Sequence, residues 1–118
     1  MKQHKMDRDF KLVDAIINKN IKSYTFNVER LCAVSTFCYD KINNLIFLKF
    51  GLTIYQYIEC KRMINAIILL NQGHEIKYVY KYVGYANAKT FRTAFKKQFK
   101  FSPSDFKTYI LKFSDIRP

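Results

Sequence analysis

The sequence predicts an all-α fold of about seven helices, arranged as two helix-turn-helix lobes joined by a long connector helix. Three observations carry that expectation. Apolar residues recur at three- and four-residue spacing along most of the 118-residue chain. Three glycines and two prolines in a chain that is 49% hydrophobic leave little for disorder and favour packed helix. Helix-capping residues, Asn27, Thr53, Asn87 and Ser102, stand just ahead of apolar-periodic stretches.

Asp9 is expected to cap a first helix reaching to about residue 18, with Phe10, Val13, Ile16 and Ile17 facing inward. A connection over 20–26 leads to Asn27, the cap of a short helix bearing Val28, Leu31 and Cys32. A brief turn at Ser35 and Thr36 precedes a helix over about 39–50, closed by Gly51. Thr53 caps a longer helix over about 54–70, whose Ile54, Ile58, Met63, Ala66, Leu69 and Leu70 supply core contacts before Asn71-Gln72-Gly73 stops it. Glu75 suits the first turn of a helix with Ile76, Val79 and Val83 in register. Gly84-Tyr85 then turns into a helix capped by Asn87, with Phe91, Phe95 and Phe99 along one face. Ser102, Pro103 and Asp105 open a last helix that turns Phe106, Tyr109 and Ile110 inward, and no stretch reads as a strand. The expected organisation is one domain, 1–118, with a first lobe at 9–53, a connector at 54–71 and a second lobe at 74–112.

A net charge of +12 implies an anionic partner, most simply nucleic acid. The charge is unevenly placed. Residues 76–112 hold nine basic side chains against Asp105 alone, whereas in 27–59 Arg30, Lys41 and Lys49 are balanced by Glu29, Asp40 and Glu59. The two halves therefore cannot grip phosphate equally. The helix after Gly84 leaves Lys89, Arg92, Lys96 and Lys97 opposite its aromatic seam. A helix that packs through one face, offers cations on the other and is entered through a tight turn points to the major groove of double-stranded DNA.

Other function classes find no support. Cys32, Cys38 and Cys60 form no Cys-x-x-Cys pair, and His4 and His74 lie far from them, so neither a metal site nor a disulfide framework is expected. No paired carboxylates, Cys-His spacing or glycine-rich phosphate loop marks an enzyme or a cofactor site. The first nine residues are charged and the longest apolar run, 66–70, is far too short to span a bilayer, so a soluble cytoplasmic protein without a membrane partner is expected.

The pattern Leu31, Ile42, Leu45-Ile46, Gly51, Tyr57-Ile58, Arg62, Ala66, Leu69-Leu70, Ile76, Val79, Val83-Gly84-Tyr85, Phe91, Phe95-Lys96-Lys97, Phe99, Ser102-Pro103 and Phe106 resembles the DNA-binding domain of the AraC/XylS transcription regulators. It is most similar to their small stand-alone members, which lack a ligand-binding domain, and the likeness covers nearly the whole chain. The resemblance implies a two-lobed monomer that places two recognition helices in successive major-groove segments, bending the duplex if the connector is rigid. It also implies a bacterial activator of transcription that touches RNA polymerase and is nucleoid-associated when bound. Carried over by position, the base-contacting places of the second lobe fall on Ala88, Lys89, Thr90 and Thr93, with Arg92 beside them, and Lys96, Lys97 and Lys100 fall at phosphate contacts. Lys89 can donate to guanine O6 and N7, while Thr90 and Thr93 can meet a thymine methyl or a phosphate.

The first lobe departs from that pattern. Its reading places fall on Asp40, Lys41, Asn43 and Asn44, and Phe47 replaces a usual lysine. Asn43 or Asn44 can read adenine, whereas Asp40 repels phosphate and can accept only from cytosine N4. Phe47, Leu48, Phe50, Ile67 and Ile68 add apolar surface that fits either extra core against the N-terminal helix or a patch for a protein partner or a second copy. A second function class follows: an interaction protein of the same fold that modulates RNA polymerase or another regulator through its neutral first lobe. Lys100 and Tyr80 stand where relatives carry glycine and alanine, so the turn before Ser102 and the packing around Tyr80 should differ.

Overall fold

The computed structural model describes residues 2–114; Met1 and 115–118, the ends of the expected domain, lie outside the described residues. Seven helices follow one another: α1 (Lys2–Asn20), α2 (Val28–Ser35), α3 (Tyr39–Phe50), α4 (Ile54–Asn71), α5 (Ile76–Val83), α6 (Ala88–Phe99) and α7 (Pro103–Ser114). Among the described residues there is no strand, and the fold is all-α.

Capping explains where the helices begin. Asn27 Oδ1 accepts the Arg30 N–H at 2.9 Å, and Asn87 Oδ1 accepts that of Thr90 at 2.8 Å. Thr53 and Gln56 form a reciprocal capping box, with Gln56 N–H on Thr53 Oγ1 at 3.1 Å and Thr53 N–H on Gln56 Oε1 at 2.9 Å. Ser102 and Asp105 repeat the exchange at 3.1 and 3.3 Å. Each pair satisfies donors that a first helical turn leaves open.

Two expectations need correction. The first helix begins at Lys2, not at Asp9, because Met6 extends the Phe10, Val13, Ile17 seam upstream and packs on the first core. Asp9 is an ion-pairing residue inside the helix: it meets Lys41 of α3 at 3.0 Å, while Asp7 meets Lys49 at 3.9 Å. In α7, Phe106 and Ile110 are half-buried as expected but Tyr109 is 60% exposed. That helix packs chiefly on α4 and α6, so only a narrow stripe of it is covered.

There are two cores. Val13 and Ile17 of α1, Leu31 of α2, Ile42 and Ile46 of α3 and Ile54 of α4 fill the first. Met63, Ala66 and Leu70 of α4 close the second with Val79, Val83, Phe91 and Phe95. Tyr80 rests half-buried at the edge of this second core. The 18-residue α4, about 27 Å long, thus belongs to both lobes.

Polar bonds fix α4 to what precedes it. The Tyr57 hydroxyl donates to Asp14 at 2.7 Å, and Lys61 reaches Asp14 at 2.9 Å and Asn18 at 2.7 Å. Burial alone would raise the Asp14 pKa, but the bonds from Tyr57, Lys61 and Asn18 outweigh it and hold the carboxyl below its ordinary value. Four residues on from Tyr57 and one more, Arg62 donates to three backbone oxygens of the α1–α2 connection: Ile21 and Ser23 at 3.2 Å and Phe26 at 3.4 Å. Its guanidinium also lies 5.8 Å from the Tyr85 ring centroid, in the turn between α5 and α6. Burial pushes the Tyr85 phenol up to about 12, with Glu59 adding to the rise and Arg62 opposing it.

Gly84, at φ 101°, caps α5 against this junction; a Cβ there would run into the Ile21 carbonyl and stand 2.6 Å from Arg62 Nε. Gly84→Ala is expected to destabilise the fold by roughly 3 kcal/mol, from the strained φ plus displacement of Arg62, measured as a lowered midpoint of urea unfolding. A midpoint equal to that of the parent would rule out the close approach. Because the folded pKa of Asp14 is depressed, its contribution is present above the unfolded value near 4 and is lost as pH falls through the lower folded value. Asp14→Asn should lower stability at pH 7 by no more than about 1 kcal/mol, given its partial exposure, and should flatten the loss of thermal stability below about pH 4.

Candidate nucleic-acid interface

α6 owes its position to aromatic packing. Phe91 and Phe95 are fully buried, and Phe95 lies 4.7 Å from Phe99 and 6.3 Å from Phe106 between ring centroids. One side of the helix is thereby locked and the other is turned to solvent. Lys89, Thr90, Arg92, Thr93, Lys96 and Lys97 are exposed there, and Ala88 is half-buried at the first turn. Thr93 donates its hydroxyl proton to the Lys89 carbonyl at 3.0 Å, which leaves its methyl and the oxygen's lone pairs to offer. Lys100 ends the helix in the left-handed region at φ 69°, exposed, with its N–H on the Lys96 carbonyl at 2.8 Å. Among the described residues no carboxylate lies within ion-pair reach of Lys89, Arg92, Lys96, Lys97 or Lys100.

α3 is built differently. Ile42, Leu45 and Ile46 are buried, and Asp40 and Asn44 project outward. Lys41 turns aside to Asp9, with its ammonium 3.9 Å from the Phe37 ring centroid. Lys49 turns to Asp7 and to the Phe10 ring, 4.5 Å from its centroid. Asn43 is half-buried, and its Oδ1 accepts the Ile54 N–H at 2.9 Å, so it ties α3 to the start of α4. Of the four first-lobe places, two are free and two carry structural bonds. Phe47 and Leu48 fill the outward side further along, at 55% and 60% exposed. Phe50 belongs to neither reading alone: it is 48% exposed, yet stacks on Tyr57 at 5.1 Å. A groove of about 780 Å³, bounded by Lys5, Met6 and Asp9 of α1 and by Asn44 and Leu48 of α3, flanks this surface.

Two roles escape the sequence. The bond from Asn43 spans 11 residues and two helices, and no local pattern marks it. The pairing of α1 acids with α3 lysines needs the crossing angle of the two helices; its only sequence signal is Met6 at the four-residue spacing before Phe10.

A family model described as a helix-turn-helix domain, of the AraC type, matches residues 40–109, more than half of the chain. The chain belongs to the AraC-type helix-turn-helix family. No curated protein matches it. Among solved structures, the C-terminal domain of AraT, a response regulator from Geobacillus stearothermophilus, is similar at 22% identity and a TM-score of 0.79, over 86% of this chain and 84% of that one. The AraC-type regulator from Chromobacterium violaceum is similar at 14% identity and a TM-score of 0.75, over 88% and 93%. The DNA-binding domain of AdpA, a global transcriptional factor solved in complex with a target DNA, is similar at 21% and 0.75, over 92% and 96%. The fold is that of AraC-type DNA-binding transcription regulators, with two helix-turn-helix units.

Within this AraC-type frame the unequal state of the two amides in α3 is testable. Asn43→Ala should cost about 1 kcal/mol or more of stability, since the buried Ile54 N–H loses its acceptor, whereas Asn44→Ala should change stability by less than about 0.5 kcal/mol. Equal effects in chemical denaturation would contradict the capping role.

Proposed function

We propose that this chain is a sequence-specific transcription regulator, an activator, that binds the major groove of double-stranded promoter DNA with α6 dominant and α3 secondary. The observation that carries this reading is the outward face of α6: five cations, unpaired among the described residues, on a helix whose other face is immobilised by buried phenylalanines. Lys89 donates to guanine O6 and N7, Arg92 stands beside it, and Ala88, Thr90 and Thr93 meet thymine methyls or the backbone. Lys96, Lys97 and Lys100 neutralise phosphates and set the register. Two reading helices on one chain suit an asymmetric site bound by a monomer, and a promoter-proximal position would bring the chain against RNA polymerase in the bacterial cytoplasm. The target DNA held by the similar AdpA domain supports this partner.

One observation favours a second reading. Phe47 and Leu48 stand exposed on α3 beside a groove, which suits an interaction protein, or a dimer, using the first lobe.

Fluorescence anisotropy over a salt series tests the choice. Lys89→Ala and Arg92→Ala should each weaken binding to a selected promoter fragment about tenfold or more, and Asn44→Ala by less, because base contacts from α6 dominate. Lys96→Ala should weaken binding to all duplexes alike and reduce the slope of log K against log salt by about 1. Binding with no preference for any fragment over random duplex, unchanged by Lys89→Ala, would favour the interaction protein.

A further inference from the structure

Both lysines of α3 are paired with acids of α1, so among the described residues α3 itself brings to a groove no lysine without a carboxylate partner. Along its outward side run Asp40, Asn44, Phe47 and Leu48: a carboxylate, an amide and two apolar side chains, all exposed. Lys41 and Lys49 are held by Asp9 and Asp7, and Asn43 is held by the Ile54 backbone. α3 is the second helix of its unit, as α6 is of its own, and the second helix is the one that enters the major groove in such units.

Each base edge there has its own donor and acceptor pattern, and these side chains can be matched against it. Guanine shows two acceptors, O6 and N7, and calls for Arg or Lys, which α3 does not have free. Cytosine shows the N4 donor, which a carboxylate accepts. Adenine shows N7 and N6, which an asparagine amide pairs with in two bonds. Thymine shows a methyl, which an apolar side chain covers.

We propose that the first lobe selects cytosine through Asp40, flanked by adenine at Asn44 and thymine methyls at Phe47, so that the two half-sites differ in base chemistry, with guanine contacts confined to the α6 half. This rests on the DNA-reading function proposed above and adds the identity of the bases. Asp40 and Asn44 are four residues apart and so stand one above the other on the helix, as contacts to neighbouring base pairs require. Asp40 is an obligate specificity device here: it repels every phosphate and gains only where an amino donor meets it, so it penalises wrong bases as well as favouring the right one.

Selection from a random duplex library, with the whole chain, provides the test. Wild type should yield a motif in two parts about one helical turn apart, one part carrying a fixed cytosine. Replacing that C·G pair should weaken binding about tenfold in wild type and not at all in Asp40→Ala. Asp40→Asn, an exposed near-isosteric change whose thermal melt should match the parent's, should convert the preference at that position from cytosine to adenine. A motif confined to the α6 half, or a cytosine position indifferent to Asp40→Asn, would overturn the assignment while leaving DNA reading by α6 intact. Absence of any motif would overturn both.

Discussion

The fold turns on Arg62. One guanidinium on α4 holds three carbonyl oxygens of the α1–α2 connection and lies against Tyr85 in the turn of the second helix-turn-helix unit. Arginine alone among side chains offers enough donors in a fixed plane to satisfy several acceptors while staying charged when half-buried. Without it, three carbonyls at the seam of the lobes would need water, and Gly84 would lose the partner around which its turn is shaped. The two cores share α4, but apolar packing along a single helix leaves rotation about its axis loosely specified. Hydrogen bonds that leave the helix sideways, from Tyr57 and Lys61 to α1 and from Arg62 to the following connection, remove that freedom.

The same helix, α1, sets the electrical asymmetry of the molecule. Each of its three acids takes a lysine: Asp7 takes Lys49, Asp9 takes Lys41 and Asp14 takes Lys61. In the second lobe, among the described residues, Glu75 takes Lys77 and the one acid of α7, Asp105, is engaged with the Ser102 N–H at its own helix start. The cations of α6 therefore stay without a carboxylate partner among the described residues, while Lys41 and Lys49 of α3 do not. Pairs this exposed stabilise little, so their consequence lies in where charge remains and less in how firmly the lobes fold.

Much of this was legible in the sequence, for reasons that can be stated. Helix starts depend on one side chain and a backbone donor three residues away, so Asn27, Thr53, Asn87 and Ser102 declare themselves locally. The buried face of α6 follows from the four-residue spacing of its phenylalanines. What failed was what needs two helices at once. Asp9 has the chemistry of a cap, and only the approach of Lys41 from α3 assigns it elsewhere. Tyr109 has the spacing of a core residue, but it lies on the side of α7 turned away from α4 and α6 and is 60% exposed. In the candidate site, the places on α6 read directly as exposed, while Asn43 and Lys41 look equally available until their partners, 11 and 32 positions away, arrive beside them.

These constraints meet in the relation between protein and duplex. Asn43 ties α3 to the start of α4, and Gly84, Tyr85 and Arg62 pack together at the turn that leads into α6. On the proposed function the two helices must reach groove segments about 34 Å apart. Where the spacing of the two helices differs from that of the groove segments, adjustment falls to the DNA, whose bending costs of order a few kcal/mol and depends on the sequence between the half-sites. The cations of α6 can supply that energy through phosphate contacts, whereas Lys41 and Lys49 of α3 are engaged with acids of α1. The chain would then discriminate among sites at base pairs it never touches, because the stiffness of the intervening steps decides whether α3 arrives at the groove at all.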